Sequence, residues 1–200
     1  MAKILFMKYD FRKMKLLYLA SIVLFAPLGY VMAYSTENIL SAYSYMLLIS
    51  TIVPTSLFTY EQRADCGFDL MLPAKEGDRI AGRYLISAVT IIYEFLLGTV
   101  IAFILTKTTQ AVWFDISVIF KFFVGGILIC MSIELCILYI IGRGINPQVR
   151  SVMIMLPNMI IWGIAYAAIN IFSDNLSSAK GIFSNFEMLG NIVLIVSLIF

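Results

Sequence analysis

Histidine is absent from all 200 residues. That absence excludes histidine-ligated metal sites, Ser/His/Asp triads and histidine-dependent intramembrane proteases together. Cysteine is scarce. Cys66, Cys130 and Cys136 form neither a CxxC nor an even extracellular set, so they read as small apolar fillers and not as disulfides or ligands. Charged residues make up only 13% of the chain, and a net charge of +2 gives no support for nucleic-acid binding. No G-x-x-x-x-G-K-S/T is present; the nearest glycine-rich piece, Gly142 to Arg150, lacks the lysine and the spacing. No catalytic residue, metal site or directly bound cofactor is therefore assigned, and any nucleotide hydrolysis belongs to another polypeptide. With no internal repeat and no low-complexity linker, residues 1–200 read as a single domain.

What the chain has is apolar length: 62% of its residues are hydrophobic, arranged in long runs. A hydrocarbon layer roughly 30 Å thick takes about 20 apolar residues per helix, because backbone polar groups must be satisfied within the segment. The runs predict an all-α, polytopic membrane protein with six transmembrane helices at Leu16–Tyr34, Ile39–Tyr60, Tyr84–Thr106, Ile116–Ile141, Ser151–Phe172 and Ile182–Phe200. The sixth run stops at Phe200 without the polar residues that normally follow a span, and a missing tail is the expectation. Trp113, Tyr18, Tyr30, Tyr34, Tyr60 and Tyr84 fall near predicted span ends, as an aromatic belt would.

Eleven of the fourteen basic residues cluster on one side of this layout: Lys3, Lys8, Arg12, Lys13 and Lys15 before the first span, Arg63, Lys75, Arg79 and Arg83 between the second and third, and Arg143 and Arg150 between the fourth and fifth. Lys and Arg stay cytoplasmic on insertion, so both termini are expected in the cytoplasm of a multi-pass protein in contact with the lipids of the cell (plasma) membrane. A cleavable signal peptide ending near Ala33 is the lesser alternative, since another span follows at once.

Between the second and third spans, residues 61–83 break the apolar pattern. Phe68 to Leu85 alone carries six charges in eighteen residues. As a helix, Arg63 to Leu72 places Ala64, Phe68, Met71 and Leu72 on one face and Arg63, Asp65 and Asp69 largely on others. Pro73 closes it. Gly77 is expected to break the chain again, with Asp78 an N-cap and Arg79 and Arg83 at the cytoplasmic surface. Surface helices bound to lipid carry Lys and Arg toward headgroups, whereas this segment presents Glu61, Asp65, Asp69, Glu76 and Asp78, which suits a protein groove better.

Tyr60-Glu61, Gly67-Phe68-Asp69, Leu72-Pro73, Asp78-Arg79-Ile80 and Arg83-Tyr84-Leu85 resemble the first cytoplasmic loop of ABC-2 type permeases, particularly the short six-span permeases of Gram-positive bacteria. The resemblance implies a non-enzymatic transport subunit that pairs with a second permease, identical or homologous. It also implies two separate ABC ATPase subunits, holding ATP and Mg²⁺, docked beneath the pair. In that family the loop before the third span carries a coupling helix. By position, the interface falls on Arg63, Asp65, Phe68, Asp69, Met71, Leu72 and Pro73. The expected function is ATP-driven export of a hydrophobic or amphipathic cargo such as a peptide, drug or lipid.

Two carboxylates remain inside the membrane. Counted from the predicted span ends, Glu94 and Glu134 differ in depth by roughly 5 Å, close enough for the two to be neighbours. A charge at mid-membrane costs about 2.5–3.5 kcal/mol, so each needs protonation, a partner or a watery cavity. Two readings stand: an intramembrane pathway, which in its strongest form makes the chain a proton- or ion-coupled carrier using Glu94 and Glu134, or hydrogen bonding across helices. Gly163 and Ala167 form a small-xxx-small strip that suits close helix contact.

Overall fold

The computed structural model describes residues 2–51, 76–109, 116–141 and 190–197, with positions 146, 149, 152, 156, 159, 160, 163 and 188. Among these the elements are helical and no strand occurs. The first is a rod of three joined pieces: α1 (Ala2–Ala20), a π-helical turn (Ser21–Phe25) and α2 (Ala26–Thr36). The π turn has a local cause. Pro27 lies at the start of α2; it lacks an N–H, and its ring crowds the carbonyl four residues back. Widening the preceding turn, with the Ala26 N–H bonding Ser21 O, accommodates the proline without breaking the rod.

The rod ends in a left-handed residue, Glu37, at φ 51°. The Glu37 N–H bonds Tyr34 O and the Asn38 N–H bonds Ala33 O, both at 3.3 Å, which closes the last turn with a Schellman pattern. Asn38 then caps the next helix, its side chain accepting from the Leu40 N–H at 3.0 Å. α3 (Ile39–Ser50) therefore folds back antiparallel on α2 after two residues.

α4 (Glu76–Thr108) and α5 (Ile116–Ile141) complete the long elements. α4 begins eight residues before the predicted third span. Gly77 does not break it and Asp78 is not its N-cap; both are helical residues within it. Three stretches, Met7–Thr36, Gly77–Thr108 and Ile119–Leu138, are long and apolar enough to cross a membrane. Burial is inverted relative to a water-soluble protein. Leu16, Leu19, Val23, Leu96 and Phe103 are exposed, whereas Ser21, Ser87, Thr90, Glu94 and Glu134 are buried. This is a membrane protein whose outer surface meets hydrocarbon.

The main core lies where α3, α4 and α5 meet. Tyr43 packs on Phe95 (centroids 5.3 Å) and Phe123 (5.8 Å), and Phe95 meets Phe120 edge-on at 5.2 Å. Gly98 allows this: a Cβ there would stand 3.0 Å from the Tyr43 ring. On the far side of α5, a Cβ on Gly125 would meet Leu194 Cα at 3.3 Å, so residues 190–197 cross α5 almost backbone to backbone.

Contacts between these elements fix their directions. Tyr18 pairs with Thr90, Ser21 with Glu94 and Tyr30 with Thr108, so the α1–α2 rod runs parallel to α4. α5 is antiparallel to α4, with Phe120 level with Phe95 and Leu135 and Leu138 packed on Tyr84. Residues 190–197 run parallel to α5, since Gly190 meets Lys121 and Phe122 while Gly125 meets Val193 and Leu194.

Candidate functional site

The polar groups of α4 recur at Arg83, Ser87, Thr90 and Glu94, spacings of four, three and four residues that set them on one face. All four are buried. The facing stripe of the α1–α2 rod is Asp10, Met14 and Tyr18 of α1 and Ser21 of the π turn, also buried. The two stripes make a polar seam between parallel helices.

Thr90 Oγ1 donates to Ile86 O at 2.8 Å, which uses its only proton; the 2.6 Å contact with Tyr18 is therefore donated by the tyrosine hydroxyl. Tyr93 Oη donates to Tyr18 O at 3.0 Å. One turn on, Ser21 Oγ donates to Glu94 Oε1 at 2.8 Å and lies 3.2 Å from Leu17 O. Leu17 and Tyr18 stand just ahead of the π turn, where the backbone ladder changes spacing, and there hydroxyls meet their carbonyls. The second Glu94 oxygen and the Ser87 hydroxyl have no hydrogen-bond partner among the described residues. Burial makes such groups costly unless something else meets them.

Several expectations are corrected by this geometry. Arg83 is enclosed by protein and not open to solvent: it is 2% exposed. Tyr18 is not a belt residue; it is 7% exposed, stacked on Phe11 at 4.9 Å and hydrogen-bonded inside the seam. Glu94 and Glu134 are both fully enclosed but are not neighbours. Glu94 lies level with Phe95 and Phe120, whereas Glu134 lies level with Tyr84, roughly ten residues or about 15 Å along α4.

The predicted interface residues Arg63, Asp65, Phe68, Asp69, Met71, Leu72 and Pro73 lie outside the described residues, as do Ala167 and most of the fifth predicted span. What is described is the exit from that segment, the first turns of α4. Sequence reasoning missed Ser21, Ser87 and Thr90. The helical spacing of Arg83, Ser87, Thr90 and Glu94 was a usable signal, and Pro27 pointed to a disturbed turn beside Ser21.

The family model described as ABC-2 family transporter protein matches residues 5–200. No curated protein and no solved structure matches the chain.

Proposed function

The chain belongs to the ABC-2 family of transporter proteins, and from that premise we propose that it is the permease subunit of an ATP-driven exporter. Two permeases, identical or homologous, form the path, and two ATPase subunits carrying ATP and Mg²⁺ dock on Arg63 to Pro73 within the 61–83 segment. One observation carries this reading. α4 runs unbroken from Glu76 to Thr108, about 50 Å, so a displacement imposed on the docking segment is delivered along a whole membrane helix. The parallel course of α5 and residues 190–197 adds support for six spans, because the chain between them has to return across the membrane. With both termini cytoplasmic, the docking segment emerges on the ATPase side. Short outer connections leave little room for an external receptor, which favours hydrophobic or amphipathic cargo taken up within the membrane.

Reconstitution with the cognate ATPase tests the proposal: transport is expected to require ATP and to ignore an imposed proton gradient. Phe68→Asp is expected to leave the membrane protein folded while ATPase co-purification and export are lost. Unchanged co-purification and export in that variant would contradict docking at this segment. A proton- or ion-coupled carrier draws on the unsatisfied Glu94 oxygen, but about 15 Å separates that group from Glu134 and leaves the pair no shared site. Gradient-driven transport abolished by Glu94→Gln would favour the carrier.

A further inference from the structure

We infer that Arg83 is the counter-ion shared by Asp10 and Glu134, and that these three side chains form an ionic joint fastening the base of α4 to α1 and α5. Burial sets the problem. Among the described residues Arg83 is the one buried cation, 2% exposed, set against three buried acids: Asp10 at 9%, Glu94 at 1% and Glu134 at 0%. A charge enclosed without an opposite charge is strongly destabilising. None of Asp10, Arg83 and Glu134 is without a partner.

Register sorts the acids. Along the α1–α4 seam the paired residues are 72 and 73 positions apart, which sets Asp10 level with residues 82 and 83. Asp10 also shares the buried stripe of α1 with Met14 and Tyr18, two members of the cluster that includes Ile86 of α4. On the other flank, Tyr84 packs on Leu135 and Leu138. Glu134 stands one helical turn from Leu138 on the same face of α5. Glu94 is eleven residues beyond Arg83, about 16 Å along α4, and has its own donor in Ser21. Asp10 and Glu134 are therefore the acids at the height of Arg83, one on α1 and one on α5. Arg83 Nε and Glu134 Oε2 make no hydrogen bond among the described residues, so the sharing falls to the two terminal amino groups of the guanidinium, whose four N–H donors can hold two carboxylates at once, which a lysine cannot match in geometry.

The joint stands on burial and register alone. Its mechanical consequence rests on the permease reading: Arg83 closes the 61–83 segment, so a push from a docked ATPase reaches three helices together.

The test is a thermal-melting cycle on the full chain in lipid nanodiscs. Arg83→Gln is expected to lower the melting temperature of the wild type, because two carboxylates lose their counter-charge. In the Asp10→Asn/Glu134→Gln background the same substitution is expected to raise it, because Arg83 is then the stranded charge. This reversal of sign, which a packing role would not produce, can be read even if Arg83→Gln alone fails to fold, through the double variant and the triple. Arg83→Lys is expected to recover only part of the wild-type value. An effect of Arg83→Gln with the same sign and size in every background overturns the joint. Coupling to only one of the two acids overturns the sharing. If the cycle reverses as expected but Arg83→Gln leaves ATP-driven transport intact in reconstituted vesicles, the joint stands and its role in transmitting the push fails.

Discussion

α4 meets the rest of the molecule through two unlike faces. Toward α1 it presents Ser87, Thr90 and Glu94 to Tyr18 and Ser21, and the two helices run parallel. Toward α3 and α5 it presents Ile91 and Phe95 to Tyr43, Phe120 and Phe123, and the helices run antiparallel. In hydrocarbon the difference matters more than it would in water. Lipid tails are as apolar as leucine, so the aromatic face gains mainly from close packing, with one directional contact, Tyr43 Oη donating to Thr99 Oγ1 at 3.1 Å. The hydroxyl contacts of the seam are directional and fix one register. The seam sets where α4 stands relative to α1, and the aromatic face sets how tightly the bundle closes.

The comparison breaks first at the aromatic face. Phe95→Ala opens a void between Tyr43 and Phe120, with an expected loss of about 3 kcal/mol; this is the low end for such a truncation, since lipid adds no hydrophobic penalty. Chemical unfolding in mixed micelles measures it, and a loss smaller than that of a seam variant would reverse the ranking. Tyr18→Phe removes the hydroxyl donated to Thr90 and is expected to cost about 0.6 kcal/mol, at most about 1.7. Its sharper signature is register: spin labels at Ser35 and Lys107 should report a broader distance distribution in Tyr18→Phe than in Phe95→Ala. The smallest effect is expected at the hairpin. Glu37→Gly relieves a left-handed side chain but loosens the unfolded chain, so the net change should stay within about 1 kcal/mol in either direction.

The helical, membrane-spanning character was legible because hydrocarbon thickness and backbone hydrogen bonding leave the chain few options. The start of α4 was less so. Gly77 and Asp78 look like a break in isolation, but a helix tolerates both once neighbouring helices hold it. The relation of Glu94 to Glu134 was misread because depth was counted from Tyr84 and Ile141 as though they shared one membrane plane, whereas Tyr84 is level with Leu135 and Leu138. The buried seam was half visible: spacing along α4 gave one side of it. The partners on α1 depended on a helix register that no single sequence carries.

The parallel pairing of α1 with α4 has a consequence for sidedness. Two neighbouring helices that point the same way oblige the chain to recross the membrane between them, so Ala2 and Glu76 open onto the same compartment whichever way the protein inserts. A membrane-impermeant reagent that modifies a tag beside one of them should also modify a tag beside the other.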